Sequence, residues 1–383
     1  MFRRNKCKLY VILSVLAVMM PLMLRAQETV RPLMRFPDIH GETVVFVYGE
    51  DIWTVPVSGG TAVRLTLHDG AEQFPKFSPD GKMIAFTGEY DGNTDVYVMD
   101  AFGGEITRVT YHPGVDQVVG WHPGKNKILF SSSRRSFSRF THLFLISPEG
   151  IDLEELILNE ASQGSFSPDG TKIAYNKVIR ENRTWKRYQG GLAQEVYIYD
   201  FKTDEETNIS SFPGTDRIPM WIGDTICFTS DREGALNIFA YDIQTGDTRQ
   251  LTDHVSYDVR RPSEGGNRIV YELGGELWVL DISSGRSGKI PVEIRADAPE
   301  IRPYFKNVQG YITGMDASPN GKRALVVARG EIFSVPYKNG PTRNLTLDCG
   351  ARDKDAVWSP DGKSVAYISD KSGEYEILSL IHI

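Results

Sequence analysis

Phe77-Ser78-Pro79-Asp80-Gly81 decides the fold, because Phe166-Ser167-Pro168-Asp169-Gly170 and Trp358-Ser359-Pro360-Asp361-Gly362 nearly copy it. Ala317-Ser318-Pro319-Asn320-Gly321 and Trp121-His122-Pro123-Gly124 are variants, and weaker members begin near 36, 221 and 262. Ser-Pro-Asp-Gly suits a tight turn, since proline fixes φ and glycine accepts a positive one. Apolar runs such as Met83-Ile84-Ala85-Phe86 and Ile173-Ala174-Tyr175 follow it, and then alternating ones such as Asp95-Val96-Tyr97-Val98-Met99-Asp100. A turn with Gly59-Gly60 or Gly103-Gly104 leads to an outer strand ending Arg64-Leu65-Thr66 or Arg108-Val109-Thr110.

Unit starts near 36, 77, 121, 166, 221, 262, 317 and 358 give a period close to that of four-stranded propeller blades, with two longer intervals that need insertions. The fold class is all-β: a six-bladed β-propeller over residues 30–290, then the first two blades of a second propeller over 312–377. Pro291, Pro299 and Pro303 break the rhythm, so 291–311 reads as a linker. Two blades cannot close a ring. Leu378-Ser379-Leu380-Ile381-His382-Ile383 looks like a translated sequencing adapter, so the chain is expected to be the front of a longer protein.

The chain has 383 residues, 40% apolar and 24% charged, with 36 glycines and 20 prolines. That is ordinary globular composition, rich in turn-formers. Arg3, Arg4, Lys6 and Lys8 precede an apolar run from Leu9 to Leu24, and Ala26-Gln27 offers a cleavage point. Residues 1–26 therefore read as a signal peptide, the run being short for a membrane span, and place the protein outside the cytoplasm, in a periplasm. The net charge is −7 and those residues hold five cations and no acid, so the remainder is more acidic still. No nucleic-acid partner is expected. Cys227 and Cys349 read as solitary thiols, and no spacing suggests a metal or cofactor site. His112-Pro113-Gly114, His122-Pro123-Gly124 and Asp91-Gly92-Asn93 read as turns. Trp53, Trp121, Trp221, Trp278 and Trp358 read as core at repeat-equivalent places.

One insertion narrows the family. Tyr175 to Val196 takes about twice as many steps as Phe86 to Val96, and it contains Arg183-Thr184-Trp185-Lys186-Arg187-Tyr188-Gln189-Gly190-Gly191. This resembles a motif of the tricorn protease family, and the six blades, proline-rich junction and immediate second propeller match that family's layout. The resemblance covers the whole chain after the leader. It implies a giant, homo-oligomeric serine peptidase in which two propellers admit oligopeptides and release products ahead of a PDZ-containing catalytic portion. No catalytic residue is assigned in this chain; Gly-x-Ser-x-Gly is missing from it. The chain's own missing C-terminal domains would be its partners. An export signal departs from the family's intracellular archetype, which would be cytoplasmic.

Two sites are expected. Arg134 and Arg135 resemble the adjacent arginines with which family members hold a peptide's C-terminal carboxylate, and guanidinium forks suit that chemistry. The alternative is a solvated basic loop. Arg183, Trp185, Lys186, Arg187 and Tyr188 read as an interface, with tryptophan and arginine as anchors. Competing functions are a TolB-type protein-binding propeller without proteolysis and the propeller of a prolyl-oligopeptidase-like hydrolase.

Overall fold

A computed structural model describes residues 33–136, 140–178, 188–210, 212–296, 305–348 and 350–381. The chain forms two compact units, Met1–Glu300 and Ile301–Ile383. Among the described residues nearly all regular structure is strand, the exception being a 3-10 turn at Gln309–Tyr311.

The first unit holds six four-stranded antiparallel sheets, each from one uninterrupted stretch of chain with strands paired in sequence order. Their inner strands are Arg35–His40, Glu72–Phe77, Asp116–Trp121, Gln163–Phe166, Asp216–Ile222 and Arg260–Gly265. The second strand of each sheet carries one aromatic with almost no exposure: Phe46, Phe86, Phe130, Tyr175, Phe228 and Tyr271. Such side chains dominate core energetics.

Six apolar clusters join the sheets pairwise, and the last one unites blade one (Ile39, Val44, Phe46, Trp53) with blade six (Val270, Leu277, Ile290). The ring is therefore closed by side chains. Its closure is reinforced by backbone. Met34 N–H donates to Gly275 O (2.9 Å). Val292–Glu293, within the stretch expected to be a linker, pairs in parallel with Gly60–Thr61. Gly60 N–H donates to Pro291 O and Ala62 N–H to Glu293 O, both at 2.9 Å. Gly59 must be glycine there, because its φ is +89° and a Cβ would lie 2.4 Å from Pro291.

The repeated turn works as its residues require. Gly81 N–H donates to Ser78 O (2.8 Å) and Ser78 Oγ bonds Asp80 Oδ1 (2.7 Å). Hydrogen bonds from Ser78 and Lys82 hold the Asp80 carboxyl down at about 2. Gly81 has φ +71° and lies against the His40 ring of blade one, leaving no room for a side chain. Ser167-Asp169 and Ser359-Asp361 repeat the arrangement.

The tryptophans occupy two registers rather than one. Trp121, Trp221 and Trp358 end inner strands, whereas Trp53 and Trp278 sit in third strands. Cys227 is fully buried and burial pushes its thiol up to about 12, so it is inert packing. Cys349 lies outside the described residues.

The second unit has a four-stranded sheet (Ile312–Ala317, Arg323–Ala328, Glu331–Pro336, Arg343–Asn344) and a three-stranded one (Asp353–Trp358, Ser364–Ser369, Glu376–Ile381). Leu325, Val327, Ile332, Ala356, Val365 and Tyr367 form its core. Its last strand runs in unbroken register from Glu376 opposite Ser369 to Ile381 opposite Ser364.

Candidate functional site

Arg134 and Arg135, neighbours in sequence, have different surroundings. The Arg134 side chain is 11% exposed and pairs through Nη2 with the buried Asp116 carboxylate. Its Nε and its backbone N–H both donate to Ser132 Oγ (3.2 Å). The guanidinium also lies 5.0 Å from the Phe130 ring centre and 5.2 Å from Phe144. Blade five repeats this bracket. There Arg232 Nη2 donates to Asp216 (3.0 and 3.1 Å) and Nε to Ser230 Oγ (2.9 Å), beside Phe228 and Phe239. Arg134 thus occupies a repeat-equivalent position, with Nη2 held by Asp116 and Nε by Ser132. Arg135 is 72% exposed and 3.7 Å from Glu155, and both arginines border a surface cavity of about 290 Å³ with His112, Phe144, Leu153 and Glu155.

Blades one and two use a second bracket. Arg64 pairs with Asp51, and Arg108 donates to Asp95 (2.5 Å). Nε of each arginine donates to the carbonyl of Thr66 or Thr110, two residues on. Those threonine hydroxyls accept the Ile52 and Val96 amides, which explains the Arg-x-Thr ending of the outer strand.

Of the expected interface, Tyr188 is partly buried, and Arg183, Trp185, Lys186 and Arg187 lie outside the described residues.

The larger feature is axial. A cavity of about 370 Å³ is lined by inner-strand residues of all six blades, within the range of ligand-sized pockets. Four inner strands carry a bulge at one register, at Phe36-Pro37, Phe74-Pro75, Ile218-Pro219 and Arg261-Pro262. In each, two residues face one buried aromatic of the second strand: Phe46, Phe86, Phe228 or Tyr271. Proline is tolerated because a bulge leaves a residue outside the ladder. The residue before it has a left-handed φ, +52° for Phe36, Phe74 and Ile218 and +47° for Arg261. For side chains of this bulk that conformation costs roughly 1–3 kcal/mol each. All four line the cavity.

The bulged side chains of three blades meet. The Phe36 and Phe74 ring centres are 4.4 Å apart, and the Arg261 guanidinium lies 5.3 Å from one and 4.9 Å from the other. Two residues further along these strands, Lys76 Nζ binds Asp38 (3.3 Å) and Ser263 Oγ, which itself donates to Asp38. Burial and the nearby Asp38 push the Glu264 carboxyl up to about 7, against the pull of Lys76. The plainer half of the wall comes from Val118, Val119, Gly120, Gly164 and Ser165 of blades three and four.

Sequence reasoning missed this collar, although a signal existed. Arg35-Phe36-Pro37, Gln73-Phe74-Pro75, Arg217-Ile218-Pro219 and Arg260-Arg261-Pro262 share a polar-bulky-proline pattern at the opening of the repeat. Attention to Ser-Pro-Asp-Gly, which marks the opposite end of the inner strand, hid it.

Comparison with known proteins then adds a family. Residues 31–286 match the model of the tricorn protease N-terminal β-propeller domain. A tricorn protease homolog of Streptomyces coelicolor is 28% identical over 351 residues, covering 89% of this chain and 32% of the relative. The tricorn protease of Thermoplasma acidophilum is 28% identical over 286 residues, covering 70% of this chain and 26% of its own length. The chain thus spans between a quarter and a third of the length of these relatives. A crystal structure of the tricorn protease superposes with a TM-score of 0.64 at 20% identity, over 92% of this chain and 44% of that one, a likeness of fold.

Proposed function

The chain belongs to the tricorn protease family through its N-terminal β-propeller, and from that premise we propose that the first unit receives and orients oligopeptides for a tricorn-like serine peptidase. The observation that supports this best is the axial cavity, to which all six blades contribute and on which four strained side chains converge. Strain of this kind persists where the surroundings over-determine it, and it clusters at ligand clamps. The propeller handles substrate and performs no chemistry, so the chain on its own hydrolyses no peptide. The leader at residues 1–26 carries the protein out of the cytoplasm, so its peptides come from the cell envelope.

Gly120 allows a clean test. It lines the cavity, and a Cβ built on it meets nothing within 4 Å. Gly120→Trp therefore fills the axis without disturbing the wall. Binding of labelled oligopeptides to the full chain should be lost in this variant, while its thermal unfolding stays close to that of the parent. Unchanged binding by the plugged ring would refute an axial path. A folded whole protein that binds proteins at its outer loops and no short peptides would favour the scaffold reading.

A further inference from the structure

We infer that Glu264, on the inner strand of blade six, is the binding site for a cationic group of the axial ligand, an ammonium or guanidinium carried by a peptide. Its place in the repeat is the first sign. Glu264 stands opposite Ile269 in the ladder between the first and second strands. Ile39, Phe77, Trp121, Phe166 and Trp221 hold the same register in the other five blades, each opposite a fully buried valine or isoleucine. One blade therefore carries a carboxylate where five carry a large apolar side chain. A Cβ on Gly265 would lie 2.3 Å from Ile39 O, so the backbone beside Glu264 is packed against blade one. Local rules of this kind are broken mainly at functional sites.

The surrounding charges are the second sign. Among the described residues the Glu264 carboxylate makes no hydrogen bond or ion pair. The nearby lysine is bonded elsewhere: Lys76 Nζ binds Asp38 Oδ1 (3.3 Å) and Ser263 Oγ. Asp38 also takes the Phe77 amide (2.8 Å) and the Ser263 hydroxyl. One lysine thus stands beside two carboxylates and is bonded to the other one. From blade five the buried Cys227 thiol, which stays protonated, is also near enough to feel Glu264. On its own strand Arg261 lies against the Phe36 and Phe74 rings. A carboxyl without partners at an apolar position costs stability, and a ligand that supplies the missing partner recovers that cost. Glu264 lines the axial cavity together with Ile39, Phe77 and Phe166. The carboxylate suits a cation, which it binds more strongly in the low local dielectric, and the apolar wall suits an aliphatic stem. A lysine or arginine side chain has both features, and the amino end of a peptide has the charge. The inference rests on the reading of the cavity as a peptide path.

Three labelled hexapeptide amides on the full 383-residue chain test it by fluorescence anisotropy: an N-acetyl apolar peptide with one central lysine, its norleucine counterpart, and the norleucine peptide with a free amino end. At pH 8 the lysine peptide should bind about tenfold more tightly than its norleucine counterpart, as gain of a charge-assisted hydrogen bond implies. Glu264→Gln should erase that preference and leave norleucine binding unchanged, with a urea midpoint no lower than the parent's. Glu264→Asp, which keeps the charge on a shorter stem, should retain part of the preference and guards against a folding defect in the first variant. Lysine stays charged throughout, whereas Glu264 takes up a proton near pH 7, so the preference should be nearly gone at pH 6. His40 also lines the cavity. A pH profile as steep in Glu264→Gln as in the parent would assign the titration to His40 and overturn the assignment to Glu264. Tight binding of the free-amino peptide assigns the site to any ammonium, and weak binding assigns it to side chains. A lysine preference that survives in Glu264→Gln overturns the inference, as does one that Gly120→Trp leaves intact. If lysine and norleucine peptides bind the parent equally, the peptide path stands and the Glu264 site falls. If no peptide binds the parent, both fall.

Discussion

Blades three and five bring one arginine to one buried carboxylate, whereas the seam between blades one and six brings three arginines to one. In the brackets, Arg134 with Asp116 and Arg232 with Asp216, every charge has a partner within its own sheet and a serine completes the geometry. At the seam, Glu272 pairs directly with Arg35 of blade one, and Arg261 and Arg260 of its own blade also pull its carboxyl down against burial. The matched pairs tie an arginine to its own blade, and the seam ties arginines of two blades to one carboxylate. Charged side chains in this repeat protein are thus sorted by the sheets they join rather than by conspicuousness in the sequence.

Breaking a matched pair should give the largest effect. Asp216→Ala leaves Arg232, whose side chain is 18% exposed, without its counterion. Urea denaturation should show a loss of about 3–5 kcal/mol, and Arg134→Ala should behave alike by orphaning Asp116. A loss within experimental error in both would show the brackets to be incidental.

Glu72 supplies the limiting case, a buried carboxyl held by hydroxyls and an amide. Thr66, Tyr90 and the Ile52 amide contact it, yet burial, with Asp51 adding, pushes it up to about 7 from 4.5. Between those values the folded chain keeps a proton that the unfolded chain releases. Its contribution therefore favours the fold below pH 4.5 and fades as pH rises to about 7, by at most about 1.4 kcal/mol per pH unit. Glu72→Gln should flatten the fall in stability from pH 5 to pH 7.5, read from urea midpoints at each pH. A parallel curve for variant and parent would contradict the assignment.

The smallest effect should come from the most visible residue. Arg135→Ala removes an exposed side chain with one long ion pair and should change stability by no more than about 0.5 kcal/mol. The contrast with Arg134→Ala, one position away, is the sharpest form of the comparison.

Much of the fold was legible. The turn signature and its period give the blades because serine, aspartate and glycine act locally, through hydrogen bonds and a positive φ at Gly81, Gly170 and Gly362. The Arg-x-Thr ending was visible as a pattern, but its purpose depends on Asp51 and Asp95, which only strand pairing brings near. The Arg134-Arg135 pair was legible as two adjacent charges, but the bracket around Arg134 shows its repeat only beside Ser230 and Arg232 of another blade. The collar was illegible for a deeper reason. Phe36, Phe74 and Arg261 are 38 and 187 residues apart in sequence and meet only once the ring closes. A bulky residue before proline also predicts extended backbone, not a left-handed one.

The parallel clasp of Val292–Glu293 on Gly60–Thr61 has an evolutionary corollary. Each blade is one unbroken segment, and among the described residues the two-stranded clasp is the only sheet that mixes strands from the two ends of the ring. A duplication or deletion of one blade's coding sequence would therefore leave every other sheet intact. All adjustment would fall on the seam, where a two-residue strand and a few side chains must meet a new neighbour. Lineages can thus change the width of the bore by whole repeats, and the join sets the limit on which diameters survive.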